Sequence, residues 1–258
     1  MTSRTLPAGT PSFRLDGKVA LITGAGKGIG AGIAAALAAT IVAVARTLVD
    51  LENLVARVTA EGGRATARAY DVRDKAAICA LIDGLPRLDI LVNNAGTNIP
   101  EPFLEVSEDH LDLMIDLNVR SLLLVSQCAV RKMLEQGPNA EGRNIINLSS
   151  QMGLVGAANR TAYSMTKHAV EGLTSSLAIE LAPQRIRVNS IAPTFVDTPL
   201  VRSIVNTPEE YKLLVSKIPL GSMARVEDIM GAALYLASPA AAMVTGTCLR
   251  VDGGWTAQ

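Results

Sequence analysis

Residues 18–30 of the chain read KVALITGAGKGIG, and this stretch decides the fold. Its first part, Lys18 to Thr23, is a short apolar run typical of a strand buried on both faces of a parallel sheet. A glycine-rich turn follows at once, and an alanine-rich helical stretch continues to about Ala39. A strand, a glycine turn and a helix in this order direct backbone N–H groups and a helix N-terminus at a pyrophosphate. The stretch therefore predicts a dinucleotide-binding fold.

The glycines of this turn are spaced G-x-x-x-G-x-G, which is wider than the usual G-x-G-x-x-G pattern. Alone, such a turn also fits a tight strand-to-helix connection that binds nothing. Its position directly after a buried first strand favours binding. We therefore expect a dinucleotide cofactor to contact Gly24, Lys27, Gly28, Ile29 and Gly30.

Outside this stretch, short apolar runs alternate with segments of helical spacing. Predicted strands cover 41–45, 65–72, 89–93, 144–148, 186–191 and 247–251, and predicted helices cover 48–60, 76–85, 107–136, 162–182 and 226–237. Such alternation indicates parallel strands joined by right-handed crossovers. We predict an α/β fold, a Rossmann-type doubly wound parallel sheet of about seven strands with helices on both faces. A flexible arm, residues 1–15, precedes one domain, residues 16–258, with a substrate lid around 194–222.

The connection before the second strand is unusually short, because the helix predicted to reach Ala39 is followed almost directly by Ile41. Connections of this kind take about two to six residues. Either the helix ends earlier than its composition indicates, or residues are absent from the sequence. An intact-mass measurement compared with 27.0 kDa distinguishes the two.

The balance of charge argues against a polyanionic partner. Lys and Arg together number 24, as do Asp and Glu, so the formal net charge is zero. Nucleic-acid binding requires a clustered positive surface, so we expect none, and a small-molecule substrate instead. Near-zero net charge also favours self-association, in line with a homo-oligomer.

The three cysteines, Cys79, Cys128 and Cys248, are far apart and lack metal-ligand spacing. We expect no metal, and we interpret the cysteines as buried thiols in a reducing compartment. No apolar run approaches the roughly 18 residues of a membrane span. We therefore expect a cytoplasmic protein with no membrane segment.

The end of the second strand selects the cofactor. An acidic side chain there binds the ribose hydroxyls of NAD, whereas a cation accommodates the 2′-phosphate of NADP. The chain has Arg46 at this position and Lys27 in the glycine turn, and Asp50 is expected to face solvent from the next helix. We therefore predict that NADP(H) is preferred over NAD(H), although both cations could equally be solvated surface groups.

The ends of the third and fourth strands complete the expected nucleotide site. Asp71 and Val72 follow the third strand, and Asp71 could accept a hydrogen bond from the adenine amino group. Asn94, Ala95 and Gly96 follow the fourth, where small residues allow the backbone to lie against the adenosine ribose.

Tyr163 and Lys167 lie one helical turn apart on the same face of a predicted helix. A Y-x-x-x-K pair is common and is usually a surface pair. Here Ser150 closes the fifth strand thirteen positions earlier, and strand ends are where sites of α/β proteins gather. A phenol has a pKa near 10, and a cation at about 4 Å lowers it by roughly 3 units at an effective dielectric of about 20. We predict that Lys167 brings Tyr163 towards general acid–base catalysis and that Ser150 holds the substrate oxygen.

These residues together resemble the short-chain dehydrogenase/reductase family from about residue 16 to the end. The resemblance rests on TGAGKGIG at 23–30, NNAG at 93–96, Ser150, YSMTK at 163–167 and RVNSIAP at 187–193. It implies hydride transfer between a nicotinamide cofactor and a ketone or secondary alcohol. It also implies a homotetramer or dimer paired through the helices around 107–136 and 162–182.

The resemblance adds residues that the physical reading does not select. It implies that Asn118 is a fourth catalytic residue, which supports a water linked to the lysine. It implies that Lys167 binds the nicotinamide ribose and that Pro193, Val196 and Thr198 lie at the nicotinamide. The family often has glycine after the proline, where this chain has Thr194.

Within the family the chain is similar to NADP-dependent carbonyl and xylulose reductases. Other members reduce 3-oxoacyl thioesters or oxidise polyols and sugar acids, and a dinucleotide sensor without catalysis is an alternative of another class. An epimerase using the same pair would need a larger C-terminal domain. The predicted substrate pocket consists of Asn98, Gln151, Met152, Asn159 and Phe195.

Overall fold

A parallel sheet of seven strands forms the centre of this computed structural model, which describes residues 11–37, 39–137, 142–205 and 207–258. The spatial order of the strands is β3-β2-β1-β4-β5-β6-β7. The strands are β1 (Val19–Thr23), β2 (Thr40–Ala45), β3 (Arg64–Ala69), β4 (Ile90–Asn93), β5 (Arg143–Leu148), β6 (Ile186–Pro193) and β7 (Cys248–Val251). Each pairing is parallel, which confirms the doubly wound sheet predicted from the sequence.

The expected ligand site lies where the strand order of the sheet reverses. β1 pairs with β2 on one side and with β4 on the other, so the connections leave these strands in opposite directions. Ligands of open α/β sheets bind in the crevice that this reversal opens at the carboxyl ends of the strands. In this chain the glycine turn and residues 94–96 lie at that crevice.

Helices cover both faces of the sheet and enclose two apolar cores. One core packs Ile33 and Leu236 against the sheet, and the other packs Ile78 and Met133. The helices are α1 (Gly28–Ala36), α2 (Leu48–Ala60), α3 (Lys75–Asp83), α4 (Glu108–Ile115), α5 (Ser121–Glu135), α6 (Thr161–Leu181), α7 (Pro199–Ile204), α8 (Pro208–Val215) and α9 (Val226–Ala237). Both cores consist mainly of Ala, Val, Leu and Ile, as the scarcity of aromatic residues requires.

α1 ends earlier than its composition predicts. The predicted extension to about Ala39 is wrong, because the helix stops at Ala36 and β2 begins at Thr40. The Thr40 N–H donates to the Lys18 carbonyl at 2.9 Å, which starts the pairing of β2 with β1. The start of sheet pairing at Thr40 therefore limits α1 more than helix propensity alone predicts. Ala38 lies outside the described residues.

α4 and α5 form one continuous helical segment, Glu108–Glu135, interrupted by a π-turn at Asp116–Arg120. By length and composition this segment is apolar enough to cross a membrane, contrary to our reading of the sequence. In the most apolar part of it, 44% of the residues are buried against the rest of the protein. A core helix of a globular fold meets the same criteria, so the expected absence of a membrane segment remains a prediction.

The predicted arm is anchored at its end. Residues 1–10 lie outside the described part of the chain, but Leu15 is only 2% exposed and belongs to a core. The Ser12 carbonyl accepts a hydrogen bond from the Ala240 N–H at 3.2 Å. The prediction of a flexible segment up to residue 15 is therefore wrong for residues 12–15, because an apolar side chain buries there.

Two of the three cysteines form a disulfide, Cys79 with Cys128, so the prediction of three free thiols is wrong for this pair. α3 and α5 pack against each other and bring the two cysteines together across 49 positions of sequence. Cys248 is free. The pairing arises from helix packing, which cysteine spacing along the sequence does not reveal.

The segment predicted as a lid, residues 194–222, is partly helical. α7 and α8 lie in it, and α8 begins with a capping box in which Thr207 and Glu210 cap each other's backbone. Such reciprocal capping stabilises a helix start. Asn206, between the two helices, lies outside the described residues, and the role of the segment as a lid remains a prediction.

Candidate active site

A cleft of about 320 Å³ opens at the carboxyl ends of β1 to β4. Its walls come from the glycine turn, the end of β2, residues 70–73 and residues 95–96. Seven of the sixteen cofactor residues predicted from the sequence line this cleft, all of them from the part expected to bind the adenosine end and the pyrophosphate. The lining residues are Gly24, Gly26, Lys27, Ala45, Arg46, Thr47, Asp50, Tyr70, Asp71, Val72, Arg73, Ala95, Gly96, Leu113 and Leu117.

Asn94 fixes the glycine turn. Its Nδ2 donates to the carbonyls of Thr23 and Gly24, each at 3.0 Å, and the Thr23 hydroxyl accepts from the Asn94 and Ala95 N–H groups. Gly24 has φ +65°, a left-handed conformation that glycine adopts without strain. A Cβ on Gly30 would overlap both the Asn94 side chain and the Gly24 carbonyl. The turn thus leaves a backbone cradle at the N-terminus of α1, which fits a pyrophosphate.

Gly30→Ala is expected to lower the free energy of unfolding by about 1–3 kcal/mol, the usual cost of overpacking, and to weaken dinucleotide binding. Gly231→Ala is the matched control, because Gly231 is also helical and its Cβ would meet nothing within 4 Å. That change should stabilise by about 0.5–1 kcal/mol, since alanine favours a helix over glycine. Urea unfolding measures the stability of each variant, and NADPH titration measures its dinucleotide binding. Equal effects of the two changes would contradict a close-packed turn.

The adenosine end of the cleft contains charges of both signs. Lys27 Nζ lies 3.1 Å from Asp50 Oδ2, and the Asp50 side chain is only 18% exposed. The prediction that Asp50 faces solvent is therefore wrong: it lies in the first turn of α2 and its side chain folds back towards Gly26. Arg46 is exposed and lines the cleft, and its contact with a 2′-phosphate stays a prediction.

Asp71 is held by a neighbouring arginine. Arg73 Nε donates to Asp71 Oδ1 at 3.0 Å and Arg73 Nη2 donates to Asp71 Oδ2 at 2.6 Å, and this hydrogen bonding lowers the pKa of the Asp71 carboxyl. Both oxygens retain acceptor capacity, so a hydrogen bond to an adenine amino group stays a prediction. Val72 is buried beside it and closes the base of the cleft.

Ser150 ends β5 with a buried and oriented hydroxyl. Its Oγ accepts from the Met152 N–H at 3.1 Å and donates to Gln151 Oε1 at 2.9 Å. Gln151 is 2% exposed, so this amide is a fixed part of the site. Gln151 and Met152 therefore lie beside Ser150, and both contact its hydroxyl. The Gln151 amide oxygen accepts the serine proton, a contact that the sequence did not predict.

Tyr163 and Lys167 share the first turns of α6, as their spacing predicts. Lys167 Nζ lies 5.7 Å from the centroid of the Tyr163 ring and donates to the Leu148 carbonyl at 2.7 Å. Burial raises the pKa of Tyr163 to about 12, opposed by the Ser150 hydrogen bond and the Arg160 charge. Burial also lowers the pKa of Lys167 to about 8, opposed by Glu171. The predicted lowering of the tyrosine pKa by Lys167 is wrong for this structure, because burial dominates both groups.

Asn118 occupies the π-turn between α4 and α5 and is 1% exposed. Its Nδ2 donates to the Thr97 carbonyl at 2.9 Å and to Thr166 Oγ1 at 3.1 Å, and its Oδ1 accepts from the Thr97 N–H at 2.8 Å. It therefore joins α6 to the loop after β4. π-turns occur often at functional sites, but a single sequence gives no signal for one.

The chain after β6 returns to the glycine turn. Pro193 ends the strand, Val196 is buried, and Thr198 caps α7 through its hydroxyl. The Thr198 methyl lies 3.2 Å from where a Cβ on Gly28 would stand, so the two segments enclose one space. Phe195 packs against Trp255 with ring centroids 5.8 Å apart.

The loop after β4 lies against the start of α6. The Glu101 N–H donates to the Asn159 carbonyl at 3.1 Å, and Glu101 Oε1 is 2.6 Å from His110 Nδ1. Three of the eight buried side-chain polar atoms that have no partner among the described residues belong to this region: Asn98 Oδ1, Glu101 Oε2 and Arg160 Nε. Asn159 itself is exposed, with φ +58°. Sequence analysis selected Asn98 and Asn159 here but missed Arg160.

The protein family described as enoyl-(acyl carrier protein) reductase matches residues 24–256. L-xylulose reductase of Bos taurus is 40% identical over 95% of this chain and 99% of its own. The 2-dehydro-3-deoxy-D-gluconate 5-dehydrogenase of Dickeya dadantii is 36% identical over 96% of this chain and 98% of its own.

A solved structure is similar to this chain in fold as well as in sequence. The gluconate 5-dehydrogenase of Burkholderia cenocepacia, in complex with NADP and tartrate, superposes with a TM-score of 0.90. It is 34% identical and covers 95% of this chain and 98% of its own. These matches extend over both the glycine cradle and the Ser150–Tyr163–Lys167 cluster.

Proposed function

The chain belongs to the short-chain dehydrogenase/reductase family, and from that premise we propose that it interconverts a polyhydroxylated ketone and its secondary alcohol with NADP(H). As a member of this family it is an oxidoreductase that acts on CH–OH and C=O groups with a nicotinamide dinucleotide. The observation that carries the proposal is the meeting of Ser150, Tyr163 and Lys167 beside a cradle that fits a pyrophosphate. A sensor of dinucleotides needs the cradle but not this cluster.

The cofactor fits the described cleft on the observations given above. Gly24 to Gly30 would hold the pyrophosphate, Arg46 and Lys27 the 2′-phosphate, and Asp71 and Val72 the adenine. Residues Asn94 to Gly96 would lie along the adenosine ribose, and Lys167, Pro193, Val196 and Thr198 at the nicotinamide end. When bound, the nicotinamide ring supplies the hydride, so the protein supplies orientation and proton transfer.

Proton transfer is assigned to Tyr163. In the reducing direction its hydroxyl donates a proton to the substrate oxygen, and the phenolate that develops is stabilised by the Lys167 ammonium. Ser150 Oγ donates to Gln151 Oε1 in this structure and would turn that proton to the substrate oxygen when a carbonyl compound binds. Asn118 holds α6 in place through Thr166 and is assigned the support of a water next to Lys167. In the oxidising direction each proton moves the opposite way.

The substrate class follows the relatives and the polarity of the site. Proteins similar to this chain are named for xylulose, erythrulose and gluconate, all of them hydroxylated. Buried polar atoms without a partner among the described residues, in the loop after β4 and at the start of α6, such as Asn98 Oδ1 and Arg160 Nε, suit a substrate with several hydroxyl groups. A 3-oxoacyl thioester is the second candidate, favoured by the matched family's own description.

A panel of substrates tests the proposal. Purified protein is mixed with NADPH and with ketoses, keto-sugar acids, diketones and an oxoacyl thioester, and nicotinamide absorbance is followed. Turnover of ketoses or keto-sugar acids supports the proposal, whereas turnover of the thioester alone favours the second candidate. Cofactor binding with no turnover of any compound would establish a sensor. The predicted cytoplasmic location and homo-oligomeric state remain predictions.

Arg46→Asp is expected to remove the preference for NADPH, because a carboxylate there repels the 2′-phosphate and accepts from the ribose hydroxyls of NADH. The ratio of kcat/KM for NADPH to that for NADH should fall by about 100-fold, as expected for a lost charge-assisted contact of roughly 1.5–3 kcal/mol and an added repulsion. Steady-state kinetics with both cofactors measure it. An unchanged ratio would contradict the assignment of Arg46.

Asp50→Asn provides the opposite change at the same site. Asp50 engages Lys27 and places a negative charge beside the expected phosphate, so its neutralisation should raise the preference for NADPH. Arg131→Gln, an exposed position on α5, controls for a general effect of charge. A fall in NADPH preference in Asp50→Asn would contradict this arrangement.

A further inference from the structure

We propose that Arg160 binds the carboxylate of an anionic substrate, so that the physiological substrate is a sugar acid rather than a neutral ketose or polyol. The inference rests on the proposed function and names the substrate class for the same site. It starts from a guanidinium that the catalytic cluster does not use.

Arg160 stands at the entrance to α6, three positions before Tyr163. It is the residue preceding the first turn, and its carbonyl accepts the Ser164 N–H at 2.7 Å. Residues three apart at the start of a helix lie on neighbouring parts of one face. The Arg160 charge acts on the Tyr163 phenol and lowers its pKa, which agrees with this placement. A substrate whose reacting oxygen is at Tyr163 would need to extend only to the start of the same helix to meet Arg160.

The guanidinium is only partly engaged by the protein. Nη1 donates to the Asn159 carbonyl at 3.0 Å, whereas Nε is buried and has no partner among the described residues. The edge that carries Nε is the one that binds carboxylates in the two-pronged manner typical of arginine. A buried donor without an acceptor is costly, and because Nε is enclosed by protein here, a carboxylate that binds this edge must displace the atoms that cover it.

No carboxylate of the described residues lies within ion-pair distance of Arg160. Its acidic neighbour across the loop, Glu101, is engaged with His110 at 2.6 Å. The Arg160 side chain is half-buried, and this burial lowers the pKa of its guanidinium. A desolvated and unpaired cation is stabilised by a bound anion far more than an exposed one is.

The local backbone adds to the preference for an anion. α6 is 21 residues long, has no acidic residue in its first turn and has no side-chain cap at its start. The positive end of its dipole therefore coincides with Arg160. Asn159 has φ +58°, and this turn directs its carbonyl to Nη1 and so fixes the guanidinium. The position of the cation is thus set by the backbone, as a specificity residue requires.

A matched pair of open-chain compounds tests the inference. D-gluconate and D-glucitol have the same carbon chain and hydroxyls and differ only in the terminal group, a carboxylate or a CH₂OH. Oxidation of each with NADP⁺ is measured for the wild type, Arg160→Gln and Arg160→Lys. Arg131→Gln, exposed on α5, is the control for removal of a positive charge.

We expect the wild type to favour gluconate in kcat/KM, and Arg160→Gln to raise the KM for gluconate by about 30- to 100-fold, the loss expected for a charge-assisted contact. Its kcat/KM for glucitol should change far less, and Arg160→Lys should recover part of the loss, since lysine retains the charge without the fork. Equal use of both compounds by the wild type, or equal losses in Arg160→Gln, would overturn the inference and leave the proposed function intact.

Binding separates the remaining outcomes. The thermal midpoint in the presence of NADP⁺ is measured with each compound added. Stabilisation by gluconate that disappears in Arg160→Gln, without turnover, would support the carboxylate contact and contradict the proposed function. If gluconate is not oxidised and does not raise the thermal midpoint, the inference is overturned. The substrate panel then decides the proposed function separately.

Discussion

Tyr163→Phe is expected to lower kcat for carbonyl reduction by about 10³-fold, within the range of positioned general acid catalysis. The change removes one oxygen and leaves the aromatic ring, so packing and dinucleotide binding should persist. The Ser150 hydroxyl cannot replace the lost acid, because a serine alkoxide forms far less readily than a phenolate. Steady-state reduction of the best substrate from the panel measures the loss, and NADPH titration measures cofactor binding.

Tyr235→Phe is the matched control for loss of a phenolic hydroxyl. Tyr235 lies in α9 and packs at a core on the other side of the sheet. Its replacement should leave kcat within about two-fold of the wild type, the usual range for changes away from the special features of a fold. Full activity of Tyr163→Phe would refute the assignment of Tyr163 as the acid.

Lys167→Met is expected to lower kcat/KM for reduction by about 10²-fold and to remove its alkaline inflection. Lys167 Nζ lies 5.7 Å from the centroid of the Tyr163 ring, and its cation would stabilise a phenolate that develops there during reduction. Burial lowers the pKa of Lys167 to about 8, so the cation is lost as the pH rises through that value. In the wild type, reduction should therefore decline above pH of about 8.

The sign of the stability change separates this decline from unfolding. Folding lowers the pKa of Lys167 from 10.5 to about 8, so between these values the unfolded chain binds more protons. The contribution of Lys167 to stability then increases with pH across that window. Folding raises the pKa of Tyr163 from 10.0 to about 12, and its contribution is lost only as the pH rises through that range. A decline between pH 8 and 9.5 is thus catalytic in origin.

Lys75→Met is the control for this experiment, because Lys75 is exposed at the start of α3. It should retain both the activity and the inflection of the wild type. Activity that is level up to pH 9.5 in the wild type, or an inflection that persists in Lys167→Met, would contradict the role given to the Lys167 cation.

Local patterns predicted the parts of the fold that depend on local chemistry. The apolar run from Val19 to Thr23, the glycine spacing and the i,i+4 relation of Tyr163 to Lys167 each follow from a few neighbouring residues. The helix predicted for 48–60 has the same bounds in the structure, because its apolar spacing is regular. Single-domain α/β architecture followed from the alternation of such segments.

What could not be predicted depends on distant parts of the chain. Asp50 turns towards the glycine turn because α2 begins beside it, and the disulfide of Cys79 exists because α3 meets α5. The early end of α1 is set by pairing of Thr40 with β1. The pKa of Tyr163 was predicted with the wrong sign because burial, which sequence does not quantify, outweighs a nearby cation.

Because of the π-turn at Asp116–Arg120, the geometry of the active site depends on the number of residues in this helical segment. A π-turn contains one residue more than the corresponding turn of an α-helix, so it changes the angular phase of all that follows. Deleting a single residue there would rotate α5 by about 100° relative to α4. Val125 and Met133, which now face the core, would turn away from it, and Asn118 would leave Thr166. Between positions 108 and 135 the chain can therefore exchange residues far more readily than it can gain or lose one.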